Sequence, residues 1–330
     1  MPLPDLGALA LVALVALLVA GALSPIETLG WWAGWYGDTI DELQADPDRA
    51  APGEAEGDDA PPRRRVDPWV VFLTGIHAVD HVTFDRAEAR LVARLRRALP
   101  AGRVVEVFPY SVTNRALTGE RVFARVWRWA LRGKLSGRRL GTAAGFLINL
   151  RNVWQVLVSA DRRYGPFYNQ GTAELVLRSL RRRGFVGGGR LVLIGYSGGA
   201  QIALGAAPFL AERTGARVEV VSLGGVMCAD PGLLAAAVTW HLSGSRDRLQ
   251  AWAGWAFPGR WPLLRWSPWN LARERGTLRA VTIGPCDHTG RDGYLDERAH
   301  VADGRSYFDV TADVLAAAAR GETHLPVAAT

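Results

Sequence analysis

From Trp69 onward the chain repeats one pattern: a short apolar run, a turn, then a longer stretch with helical spacing. Six such runs stand out, at Trp69–Leu73, Val104–Phe108, Arg190–Ile194, Val218–Leu223, Val238–Leu242 and Leu278–Ile283. Runs that are apolar on both pleat faces suit strands covered on both sides. Between them, Phe84–Leu99 is amphipathic with arginine on its outer face, Thr172–Arg183 has helical spacing, and Gly198–Glu212 is an alanine-rich helix. Strands alternating with helices specify a mostly parallel sheet with helices on both faces. At 330 residues and 49% hydrophobic, the chain buries a core without staples. Its two cysteines, Cys228 and Cys286, exclude a disulfide framework and any Cys-rich zinc or iron–sulfur site.

One turn carries chemistry. Gly195-Tyr196-Ser197-Gly198-Gly199 follows the strand Leu191-Val192-Leu193-Ile194 and opens the helix that begins Ala200-Gln201-Ile202. A G-x-S-x-G in that strand–turn–helix setting lifts a serine hydroxyl above the sheet on a sharp, strained backbone. Gly195 and Gly199 give clearance, and the helix N-terminus favours negative charge beside the serine.

With this element order and this turn, the sequence from about Arg65 to Leu315 resembles the α/β-hydrolase superfamily, and more narrowly uncharacterised bacterial membrane-anchored α/β hydrolases. The resemblance implies the α/β-hydrolase fold and a serine nucleophile, Ser197, followed along the chain by an acid and then a histidine. Asp247 follows the strand Val238–Leu242 and the turn Ser243-Gly244-Ser245-Arg246, which is the family's acid position; Asp230, after the preceding strand, is the alternative. His288 lies in Gly284-Pro285-Cys286-Asp287-His288, after the last strand, where the family's base belongs; His300 and His324 also lie late in the chain. An oxyanion hole needs two backbone N–H donors. Gly198 supplies one. The loop Leu73-Thr74-Gly75-Ile76-His77 resembles the family's His-Gly loop with Thr74 in place of histidine, leaving Gly75 or Ile76 as the other donor, with Ile76 favoured. His77 is read as structural.

The flanks point to a membrane. Leu6 to Leu23 is an apolar or small-residue run long enough for a short span, followed by Trp31, Trp32, Trp35 and Tyr36, rings that favour the headgroup layer. A cleaved signal peptide is the rival, but the first six residues lack the usual positive charge. No Lys or Arg lies close enough to the run to orient it. We divide the chain into an anchor (1–36), an acidic Pro/Ala/Gly linker (37–64), an α/β-hydrolase domain (65–320) and a tail (321–330). The net charge is +7, and without the acidic stretch from Gly37 to Asp59 the remainder stands at about +15. Such a body seeks anionic partners.

Two stretches break the alternation, at about 110–170 and 249–276, and both read as insertions over one end of the sheet. In the first, Arg121, Arg125, Arg128 and Arg132 share one stripe of a Trp-bearing helix, as on an interfacial helix. Tyr164–Gly171 reads either as a cleft lining or as a helix cap. The second holds Trp252, Trp255, Trp261, Trp266 and Trp269, more than a third of the chain's 13 tryptophans. It reads as a lipid-facing lid or acyl-pocket wall, against a small satellite core. The sum is a single-pass, membrane-anchored serine hydrolase acting on a lipid-like carboxylic ester. It needs no metal or organic cofactor, and it does not bind nucleic acid, because no recognition motif accompanies the charge. A thioesterase, an acyltransferase or a non-catalytic membrane-tethered scaffold are the alternatives.

Overall fold

The computed structural model describes residues 68–76, 86–100, 103–110 and 139–328, with isolated helical positions at 7, 11, 12, 14, 15 and 19; the side chains of 139–148 are outside the described set. The linker, the aromatic cluster at 31–36, His77 and the arginine-striped helix at 121–132 all lie outside the described residues. So does most of the run at 6–23; among the described residues no helix is long and apolar enough to cross a membrane.

Six strands form one sheet: β1 (Trp69–Leu73), β2 (Val104–Val107), β3 (Arg190–Tyr196), β4 (Arg217–Leu223), β5 (Val238–Gly244) and β6 (Leu278–Gly284). Their order is β2-β1-β3-β4-β5-β6, and every pair is parallel. Parallel neighbours need crossovers, which the helices provide. These are α1 (Arg86–Ala98), α2 (Arg139–Ala160), α3 (Gly165–Arg181), α4 (Gly198–Thr214), the single turn α5 (Gly232–Ala235), α6 (Arg248–Ala256), α7 (Pro268–Glu274) and α8 (Tyr307–Arg320).

The period-two alternation of each strand divides the core between the two faces. Val71, Leu73, Leu191, Leu193, Val218 and Val220 pack with α3 and α4. Val70, Phe72, Val192, Ile194, Val221 and Leu223 pack with α1 and α8. Most of these side chains are fully buried, each contributing about 1.5–3 kcal/mol of transfer free energy. The crossover from β1 to β2 runs one way along the sheet, and those from β3 onward run the other. Right-handed crossovers in opposite directions put their helices on opposite faces. The order reverses between β1 and β3, and at the carboxyl ends of such strands open α/β sheets place their ligands.

The six strands fall where the sequence puts them. Two helices need revision. α3 begins at Gly165, not Thr172. Pro166 suits the first turn, where no N–H is needed, and Gly165 passes so near Ser159 that a Cβ would lie 2.6 Å from its carbonyl. The segment 164–171 is packing rather than cleft. The Tyr168 hydroxyl donates to the Pro109 carbonyl (2.5 Å), and the Asn169 amide oxygen accepts from Ser159 Oγ (2.7 Å). Much of the first insertion is likewise a helix of the domain, with α2 packed on α3 and α4.

Candidate active site

β3 leads straight into the turn. Ser197 has φ 52° and ψ −119°, a conformation that costs about 1–3 kcal/mol and persists only when its surroundings hold it. They do so closely. Ser197 N–H donates to Leu223 O (2.9 Å) at the end of β4. A Cβ on Gly195 would lie 2.4 Å from Ala200 Cα, and one on Gly199 would lie 2.5 Å from Thr74 O. Only glycine lets β1, β3 and the start of α4 approach this tightly.

The hydroxyl meets an imidazole. Ser197 Oγ is 2.8 Å from His288 Nε2, and His288 Nδ1 is 2.8 Å from Asp247 Oδ2. A carboxylate beside Nδ1 fixes the proton there, so Nε2 presents a lone pair to the serine. Ser197 and Asp247 are both buried. The three side chains come from the carboxyl ends of β3, β5 and β6.

Asp247 is held on both oxygens. Oδ1 accepts the Gln250 N–H (2.9 Å), an N-cap that opens α6. Oδ2 accepts from His288 and from the Tyr294 hydroxyl (2.6 Å). Burial alone pushes this carboxyl up, but the bonds from His288, Tyr294 and Gln250 outweigh it and hold it below the usual range. Tyr294, in turn, accepts Gly244 N–H (2.7 Å), and burial followed by its bond to Asp247 drives its own ionisation far upward. It is a permanent donor. The Tyr196 hydroxyl donates to His288 O (3.0 Å), and its ring stacks on the imidazole at 6.2 Å.

The loop after β1 is fixed by three contacts. Tyr110 donates to Thr74 O (2.9 Å), Asn152 Nδ2 donates to Ile76 O (2.7 Å), and Gly75 N–H donates to the buried Glu88 Oε1 (3.2 Å). The Gly75 amide is thereby occupied, whereas no described residue accepts the N–H of Ile76. Gly198 lies against it: a Cβ there would fall 2.9 Å from Ile76 Cγ2 and 2.6 Å from Val156 Cγ2. As N1 of α4, Gly198 has an N–H with no intrahelical partner. Among the described residues, then, the amides of Gly198 and Ile76 have no acceptor, and the Ile76 side chain lies against Gly198.

Asp230 stands apart from the relay. It accepts from Gln201 Nε2 (2.8 Å) and Gly232 N–H (2.7 Å), and burial pushes its carboxyl up. His300 lines an open, mixed-charge surface depression with Arg90 and Glu297, and His324 is exposed near the C-terminus. Neither meets Ser197. Among the described residues no His/Cys/Asp/Glu group could hold a metal ion.

Sequence reasoning missed several supports. Tyr294, Glu88 and Asn152 belong to no motif, and Asn152 comes from the first insertion. His241 read only as a strand residue. It is buried, accepts from Gln250 Nε2 at its own Nε2 (2.6 Å) and so donates from Nδ1 to Ser222 Oγ (3.1 Å). Burial first, and then the Arg260 charge, lower its pKa to about 3. It is a neutral brace for Gln250, whose backbone N–H donates to Asp247. In the second insertion Trp269 is buried against His241, but Trp252, Trp255, Trp261 and Trp266 are exposed, so the satellite-core reading holds for one tryptophan of five.

No protein-family model matches the chain, and neither a curated protein nor a solved structure matches it.

Proposed function

We propose that the protein is a serine hydrolase of the α/β-hydrolase fold that cleaves a lipid-like carboxylic ester from a membrane-anchored position. The observation that carries this is the unbroken relay from Ser197 Oγ through His288 to Asp247, two contacts of 2.8 Å. It stands beside a pair of uncommitted amides at the switch point of a parallel sheet. The strand order supports the same fold assignment. The run at 6–23 supports the anchor.

In this reading Ser197 Oγ attacks the ester carbonyl carbon while His288 Nε2 takes its proton. The carbonyl π-electrons move to oxygen, and that oxyanion accepts from Gly198 N–H and Ile76 N–H. Asp247 stabilises the imidazolium without taking its proton. Collapse of the tetrahedral intermediate breaks the C–O bond, and Nε2–H protonates the departing alkoxide. Water then attacks the acyl-serine, giving its proton to Nε2. A second collapse releases the acid and returns the proton to Ser197. No step calls for a metal or organic cofactor.

The test is fluorophosphonate labelling of the detergent-solubilised full chain. Wild type labels, Ser197→Ala does not, and His288→Ala labels far more slowly. Label retained in a folded Ser197→Ala variant refutes the assignment.

A further inference from the structure

The segment between the relay's acid and base has an outward surface the mechanism does not use. Trp252 is 53% exposed, Trp255 73%, Trp261 42%, Leu263 82% and Trp266 75%. Their position is built in. On α6, Ala253 is buried and Gln250 reaches His241, so that face turns inward. At 100° per residue, Trp252 and Trp255 stand on the opposite side. The Trp261 indole donates to Trp255 O (3.0 Å), folding the following loop back onto α6. Asn270 Nδ2 pins that loop through Trp261 O and Leu264 O (2.8 and 2.9 Å). The segment has its own interior anchor in Trp269, with Arg260 4.0 Å over its ring. Trp261 apart, no hydrogen bond of the segment rests on the exposed rings.

The exposed charge along this stretch of chain is mostly positive. Arg246, Arg248, Arg265, Arg273, Arg275 and Arg279 are all exposed. The acids over the same span are Asp247, which is committed to the relay, and Glu274. Protruding tryptophan and leucine with exposed arginines along the same stretch of chain suit the headgroup layer: the rings sink to the acyl boundary and the guanidiniums meet lipid phosphates. A protein partner would need acidic groups set around a deep socket for side chains this far out of the surface. The apolar run at 6–23 of the same chain would hold a bilayer within reach.

We infer that the 252–266 ridge docks on an anionic phospholipid bilayer as a second membrane contact. This rests on the membrane attachment of the proposed function but not on hydrolysis. Because α6 starts at Asp247, docking would bring the strand ends that carry Ser197 towards the lipid.

The experiment is hydrogen–deuterium exchange on the full chain in nanodiscs of phosphatidylcholine, with and without phosphatidylglycerol. Backbone amides of 248–266 are expected to exchange about tenfold more slowly in the anionic discs, corresponding to about 1.4 kcal/mol of added protection. The difference should vanish at high salt and in an Arg248→Glu/Arg265→Glu variant that melts like wild type. Equal exchange in the two lipids overturns the inference, whether or not the N-terminus enters the disc. Protection that instead rises with protein concentration in detergent overturns it too, in favour of a second copy of the chain. Failure of the hydrolase reading would show separately, as absent fluorophosphonate label.

Discussion

Tyr294→Phe isolates a single hydroxyl that serves the relay from behind. That hydroxyl donates to the Asp247 oxygen that also faces His288, and it accepts the Gly244 N–H. The ring is fully buried, so no water replaces the lost group easily. A hydrogen bond to a charged acceptor contributes about 1.5–3 kcal/mol, and an orphaned buried N–H costs about 1–3 kcal/mol. The two losses overlap, so the expected destabilisation is about 2–4 kcal/mol, on the order of 10 °C in Tm for a domain of this size. The kinetic signature is different in kind. Without the phenol, Asp247 holds more of its negative charge against Nδ1 and stabilises the imidazolium better. The acid limb of the kcat/KM profile, read with a short soluble ester, therefore moves to higher pH. Plateau kcat falls by no more than about tenfold, or ~1.4 kcal/mol, because serine, histidine and carboxylate remain in place. A limb that stays fixed, or moves to lower pH, refutes the coupling even if Tm drops as calculated.

Asp247→Asn should abolish ester turnover, whereas Asp230→Asn should leave it within about twofold, since the Asp230 carboxylate accepts from Gln201 and Gly232 rather than from the relay; steady-state rates on folded protein decide between the two carboxylates. His241 sets an acid limit on stability. Its folded pKa, about 3, lies below the ordinary histidine value of about 6.5, so the unfolded chain binds the extra proton between those values. Stability is therefore intact above pH 6.5 and falls as pH drops towards 3, by about 2 kcal/mol at pH 5. Urea melts against pH should show that slope in wild type and a shallower one in His241→Gln. Gly198→Ala places a Cβ 2.6 Å from Val156 Cγ2; fluorophosphonate labelling should drop at least about tenfold, and a fully labelling variant would argue against the close approach of the two amides.

How far the sequence could be read depended on the kind of signal each residue carries. Strands announced themselves through apolar runs, and all six lie within two residues of their expected ends. β3 extends past Ile194 because Gly195 and Tyr196 still pair with Ser222 and Leu223. Ser197, Asp247 and His288 were legible because each follows a strand end, a position that chain order reveals. Ile76 is favoured over Gly75 in sequence, but no residue there decides between them. The distinction lies in Glu88, a residue of α1 whose buried carboxylate occupies one of the two amides. Tyr294 and Asn152 act at a distance along the chain, through contacts no periodicity encodes. The α3 boundary slipped because Gly-Pro reads as a turn while serving here as a helix start.

The base hangs from β6, at the edge of the sheet and late in the chain. A ribosome adding about 5–20 residues per second delivers His288 some seconds after Ser197. During that interval the elbow can form between β3 and β4 while the hydroxyl has nothing to receive its proton. On the proposed mechanism the nascent chain is chemically silent until β6 is seated. A stalled or truncated product, however well its first five strands assemble, would carry the nucleophile without the means to use it.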